Sequence, residues 1–143
     1  MSEYDDNYCG VVRRYWDDTK TILYEEYFIN AGKKEGIYKL YWGNGQLKCE
    51  VNYIDGLKQG IFKSYHNNGR LREEVNYIDD KMNGIYKRYY PNGQLCGEVN
   101  YINGLTNGIL KSYFPNGQLW KEVNYIDGDL EMVIINCIVK MCN

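Results

Sequence analysis

The side chains able to do chemistry in this chain are few, and their spacing does not assemble them. His66 is the single histidine. Without a second imidazole or a patterned cysteine, neither a Ser/Cys–His nucleophile pair nor a transition-metal site can be built. The five cysteines, Cys9, Cys49, Cys96, Cys137 and Cys142, include no Cys-x-x-Cys pair, which predicts reduced thiols in place of a disulfide framework or a zinc site. Paired carboxylates are the other route to acid–base work, but here they recur: Glu50, Glu74, Glu98 and Glu122 stand 24 residues apart, beside a matching column of Lys39, Lys63, Lys87 and Lys111. An active site is normally one departure from a repeat, whereas these carboxylates are the repeat, so they read as solvated structural pairs. Asp17 and Asp18, in an irregular stretch, are the last acid pair an enzyme could use. Gly43-Asn44-Gly45 leads into a strand-like run, where a phosphate loop needs a helix N-terminus. The expectation is a protein that is not an enzyme, with no metal and no cofactor.

What must position these residues is one 24-residue phrase written four times. Units open at Gly36-Ile37, Gly60-Ile61, Gly84-Ile85 and Gly108-Ile109, pass through an Asn-Gly pair (Asn44-Gly45, Asn68-Gly69, Asn92-Gly93, Asn116-Gly117), and continue as Glu-Val-Asn-Tyr-Ile. A fixed period of this length signals a stacked array of supersecondary units. Ile37 to Trp42 and Leu47 to Ile54 are short runs rich in Tyr, Ile, Val and Leu, and Asn-Gly between such runs marks a β-hairpin. The predicted fold is all-β, an elongated single-layer antiparallel sheet of tandem hairpins. Its organisation is an N-terminal segment (1–9), a degenerate first repeat (10–35) whose central turn is two residues longer, four repeats (36–59, 60–83, 84–107, 108–131) and a C-terminal cap (132–143).

The register is open between two choices. A two-residue Asn-Gly turn places Lys39 opposite Glu50 and repeats that pair in every unit. Pro91-Asn92-Gly93 and Pro115-Asn116-Gly117 instead suit a type I turn with a glycine bulge, which slips the pairing by one residue and puts Ile85, Tyr89, Leu95, Val99 and Tyr101 on one face. Between hairpins, Asp79-Asp80 stands where the other joints have Asp55-Gly56, Asn103-Gly104 or Asp127-Gly128, and is expected to be the weakest joint.

Net charge is −2 with both signs interleaved along 143 residues, so no basic stripe exists for nucleic acid. Only Arg70, Arg72, Lys87 and Arg88 approach a cluster that an anionic membrane would need. The start, Met1 to Asp6, lacks the apolar stretch of a signal peptide, and Met132 to Val139 is too short to span a bilayer; the expected location is cytoplasmic. The unusual feature is sixteen tyrosines. A one-layer sheet cannot bury them all, and Tyr supplies rigid amphipathic contact area to interfaces. Tyr38, Tyr41, Trp42, Tyr65, Tyr89, Tyr90, Tyr113 and Phe114 are the candidate contacts for a protein partner or a second copy. His66 occupies the position held elsewhere by Trp42, Tyr90 and Phe114, a packing column.

The phrase from Tyr53 to Leu71, with Asp55-Gly56, Gly60-Ile61, Lys63, Tyr65, Asn68-Gly69 and Leu71 at fixed offsets, resembles the MORN repeat in its variant form. That resemblance implies a string of hairpins in a twisted, grooved sheet. It also implies a scaffold or partner-binding module, in some cases one that dimerises or associates with phosphoinositide membranes. Variant-repeat proteins resemble immunity partners of bacterial toxins. They also recur in large DNA viruses, which suits the abundance here of Asn, Tyr, Ile and Lys, residues with AT-rich codons.

Overall fold

The computed structural model describes residues 7–130; the expected cap at 132–143, with Cys137 and Cys142, lies outside the described residues. The described residues form fourteen strands in one open antiparallel sheet and no helix. They are β1 (Gly10–Tyr15), β2 (Leu23–Asn30), β3 (Lys33–Tyr41), β4 (Leu47–Ile54), β5 (Leu57–Lys58), β6 (Gly60–Tyr65), β7 (Leu71–Ile78), β8 (Lys81–Met82), β9 (Gly84–Tyr89), β10 (Leu95–Ile102), β11 (Leu105–Thr106), β12 (Gly108–Tyr113), β13 (Leu119–Ile126) and β14 (Asp129–Leu130). The hairpins β1–β2, β3–β4, β6–β7, β9–β10 and β12–β13 lie side by side in chain order.

Both expected registers are present in every hairpin, joined by a bulge. At the tip, the Gly45 N–H donates to the Trp42 carbonyl and the Trp42 N–H to the Gln46 carbonyl, both at 2.8 Å. Gly45 sits at φ +82°, the glycine-bulge turn, and the Asn44 Oδ1 accepts the Gln46 N–H at 3.0 Å. Tyr41 then pairs with Leu47, while the next pair inward is Leu40 with Cys49, so Lys48 is an extra residue on β4. That second bulge restores the register of the two-residue turn, and Lys39 faces Glu50. The physical consequence is a face switch. Val99 and Tyr101 share a face with Tyr86 and Gly84, not with Ile85, and Tyr89 and Leu95 lie on the opposite side.

Each joint uses a type I′ turn with two left-handed residues, such as Asp55 (φ 52°) and Gly56 (φ 84°). The unit-opening glycines serve a different purpose. Tyr53 pairs with Lys58 but Cys49 pairs with Ser64, so Gln59 and Gly60 form a bulge with Gly60 at φ +89°. A Cβ at Gly60 would meet nothing within 4 Å; the requirement is for the dihedral, not for space.

Asp79 (φ 48°) and Asp80 (φ 64°) make their turn without glycine. The cost is offset there, because the Asp80 Oδ1 accepts the Lys58 N–H at 2.7 Å, a bond that glycine cannot supply. Ala31, at φ 45°, has no such side chain. Left-handed geometry at Ala31 costs about 1 kcal/mol. Ala31→Gly is therefore expected to stabilise the fold by roughly 0.5 kcal/mol or more, and Gly60→Ala to destabilise it by about 1 kcal/mol, both read from urea unfolding midpoints at unchanged m-value.

Candidate interaction face

The sheet's two faces differ in what they hide. On the packed face Val51, Val75, Val99 and Val123 are at most 5 % exposed and lie opposite Tyr38, Phe62, Tyr86 and Leu110. Edge-on ring pairs cover them, Tyr38–Tyr53 at 6.0 Å, Phe62–Tyr77 at 6.1 Å and Tyr86–Tyr101 at 6.2 Å. Such cross-strand pairs contribute roughly 0.2–1 kcal/mol each, enough in series to hold a one-layer sheet. The Lys34 ammonium stands among the rings of Tyr27, Tyr38 and Tyr53 at 4.6, 4.4 and 5.4 Å.

Two carboxylates sink into the packed face and are held there by hydroxyls. Glu25, buried, receives Arg14 Nη1 at 3.2 Å and the Tyr38 hydroxyl. Glu73 accepts from Ser64 Oγ at 2.9 Å and from the Tyr86 hydroxyl at 2.8 Å. Burial first, then the bond to the carboxylate, pushes Tyr38 and Tyr86 above the ordinary tyrosine range. Burial likewise raises Tyr53 and Tyr77 and the Cys49 thiol.

The open face carries four parallel rows that cross the strands, the outermost being Ile54, Ile78, Ile102 and Ile126 beside the joint turns, each about half exposed. Nearest the Asn-Gly tips run Tyr41, Tyr65, Tyr89 and Tyr113, opposite Leu47, Leu71, Leu95 and Leu119. The Tyr65 hydroxyl donates to Glu50 Oε1 at 3.2 Å and that of Tyr89 to Glu74 Oε1 at 3.4 Å. In the middle, charge alternates strand by strand: Arg13, Glu26, Lys39, Glu50, Lys63, Glu74, Lys87, Glu98, Lys111 and Glu122 each face the next in register. Beyond it lie Ile37, Ile61, Ile85 and Ile109, exposed by 58, 60, 57 and 49 %, each opposite an asparagine, Asn52, Asn76, Asn100 or Asn124. A depression of about 280 Å³ opens over Asn52 between Ile37 and Ile61.

The tips form a ladder of their own. Trp42 Nε1 donates to the Tyr65 carbonyl at 3.1 Å, His66 Nε2 to the Tyr89 carbonyl at 2.9 Å and the Tyr90 hydroxyl to the Tyr113 carbonyl at 2.9 Å. A carbonyl only accepts, so His66 carries a proton on Nε2. Asn44, Asn68 and Asn92 add amide bonds to the carbonyls of Asn67, Pro91 and Pro115, each at 3.1 Å.

The eight aromatic residues singled out by sequence therefore divide among three places. Tyr38 belongs to the packed face. Tyr41, Tyr65, Tyr89 and Tyr113 lie on the open face, and Trp42, Tyr90 and Phe114 at the tips, where Phe114 has no donor for a further rung. The isoleucine row escaped sequence reasoning, although an isoleucine after every unit-opening glycine was its signal. The basic residues do not converge: Lys87 is on the open face, Arg88 on the packed face, Arg72 is a bulge residue, and Arg70 Nη1 bonds the Asn92 carbonyl at 2.6 Å. The Asp17 carboxylate is occupied by Thr19 and Thr21 and by the N–H groups of Thr21 and Ile22, which hold it well below the usual carboxylate range. It builds its turn. Among the described residues no His, Cys, Asp and Glu cluster could hold a metal ion, and no helix is long and apolar enough to cross a membrane.

The raised tyrosines fix a pH dependence. Unfolded tyrosine titrates near 10, so the stability these hydroxyls supply is complete below about pH 10 and is lost as pH rises through the higher folded values. The melting temperature should be level from neutral pH to about pH 9 and fall above about pH 10, and Tyr86→Phe should shallow that fall.

Comparison with known proteins places the chain. Among solved structures, a mutant of S. aureus TarM in complex with fondaparinux, alpha-GlcNAc-glycerol and UDP aligns at 12 % identity and a TM-score of 0.43, covering 85 % of this chain and 21 % of that one. A second TarM structure aligns at 13 % identity and 0.42, with the same coverage. This chain thus spans about a fifth of the length of those proteins. No curated protein sequence matches it. The MORN repeat variant model matches four times, over residues 34–55, 58–79, 82–103 and 106–127, in the same phase as the hairpins and joints described above. The chain belongs to the MORN repeat variant family.

Proposed function

We propose that the chain is a non-catalytic interaction scaffold that binds protein through its open face. The observation that carries this reading is the isoleucine row. Ile37, Ile61, Ile85 and Ile109 are all about half exposed or more, while the valines of the other face are buried. A row of exposed isoleucines spaced by asparagines and bordered by charge and half-buried tyrosine offers the mixed apolar and polar contacts that protein-binding surfaces present. Tyr41, Tyr65, Tyr89 and Tyr113 supply the aromatic share of that face, with hydroxyls at Tyr65 and Tyr89 already oriented by glutamates. Tyr38, Trp42 and Tyr90 contribute indirectly, by holding the units in line, while Phe114 packs against Trp120 within its own unit. The dispersal of Arg70, Arg72, Lys87 and Arg88 argues for a protein partner over an anionic membrane.

The test is affinity capture on immobilised chain, with Ile61→Arg and Tyr65→Ala compared with wild type. Ile61 is 60 % exposed, so its replacement should change fold stability by no more than about 0.5 kcal/mol. Loss of at least about tenfold in retained protein or in self-association is expected. Equal retention by both variants would overturn the assignment.

A further inference from the structure

The open face is complementary to itself in one orientation. Its charge row alternates at every strand, with Lys63 on β6 next to Glu74 on β7 at the centre. Place a second copy face to face, related by a two-fold axis that runs along the strands between β6 and β7. Strand order reverses, and because the reversal exchanges odd and even strands, every cation meets an anion: Lys63 meets Glu74 of the other copy. The same exchange acts on the other rows. Ile61 meets Asn76, and Ile85 meets Asn52, whose depression of about 280 Å³ is the recess that an isoleucine would enter. Tyr65 meets Leu71. With the axis turned along the charge row instead, every charge meets itself and is repelled, and the isoleucine row meets the tyrosine row.

We propose, resting on the assignment of the open face as a binding surface, that its occupant is a second copy of this chain, docked antiparallel about that axis. Sheet twist limits overlap to about six strands, roughly 29 Å by 20 Å at a strand spacing of about 4.8 Å. That gives about 600 Å² per copy, or about 1,200 Å² in total, above the total of about 1,000 Å² expected of a specific interface. Aligned packing of two twisted sheets at about −30° is a standard sandwich geometry.

Sedimentation velocity on the whole chain tests this. Wild type should dimerise with rising concentration, and Ile61→Arg should be monomeric with an unchanged melting temperature at low concentration. Lys63→Glu and Glu74→Lys, each alone, should weaken the dimer by at least about tenfold, since like charges then oppose across the interface. Mixed together, the two variants should restore it as a heterodimer. A mixture of Lys63→Glu with wild type that restores the dimer instead would overturn the antiparallel orientation, because residue 63 would then be facing itself. Wild type that stays monomeric at high micromolar concentration overturns the second-copy occupant. If Ile61→Arg nevertheless abolishes capture of another protein, the broader binding assignment survives that failure. Failure of both sinks both.

Discussion

The structure depends on how little backbone pairing joins one hairpin to the next. Within a hairpin six residue pairs are in register, but across a joint the ladder is split into two short pieces, Tyr53–Lys58 and Ile54–Leu57 beside the turn and Cys49–Ser64 and Glu50–Lys63 further in. The unit-opening glycine causes this, since its left-handed bulge interrupts the ladder between the two pieces. Stability across the joint is then supplemented from elsewhere. It comes from both ends of the strands: aromatic and amide donors at the Asn-Gly tips, and at the other edge the turn N–H groups of Gly56, Asp80, Gly104 and Gly128, which reach back to the carbonyls of Lys34, Lys58, Met82 and Thr106.

That arrangement explains the side-chain choices at the joints. Glu35 accepts the Asp55 N–H at 2.9 Å and Gln59 the Asp79 N–H at 2.8 Å, and Asn107 donates its amide to Asp127 at 3.3 Å, so at these joints the residue before the opening glycine reaches the following turn. Donors of quite different chemistry, an indole, an imidazole and a phenol, fill the tip column because only an N–H or O–H at a given height is needed. The lone histidine is one rung among these. Its chemistry is that of a hydrogen-bond donor, which is why its singularity carries no catalytic meaning.

The double bulge decides what the two faces offer. A hairpin in a single register would have kept Leu47 on the side of Val51 and Tyr53. The extra residue at Lys48, Arg72, Cys96 and Trp120 turns Leu47, Leu71, Leu95 and Leu119 to the side opposite the buried valines, where they meet Tyr41, Tyr65, Tyr89 and Tyr113. One tyrosine column thus packs the sheet while another borders the charge row. The aromatic excess serves both cohesion and surface, and the apolar row left uncovered is isoleucine.

The sequence by itself determined the period, the hairpins, the turn positions and the family, because these rest on local chemistry: left-handed Asn and Gly at fixed offsets, and β-branched and aromatic runs between them. Pairing of Lys39 with Glu50 was legible as one of two registers, since both satisfy the turn residues. Tertiary structure alone decided that both coexist, because a bulge is set by the neighbouring strand's hydrogen bonds and leaves no residue-type mark when its position holds Lys, Arg, Cys and Trp in turn. It also decided that charge alternates without a break from Arg13 to Glu122. Each unit encodes one pair, but the sign of the next neighbour depends on the register between hairpins, which only the folded joint supplies.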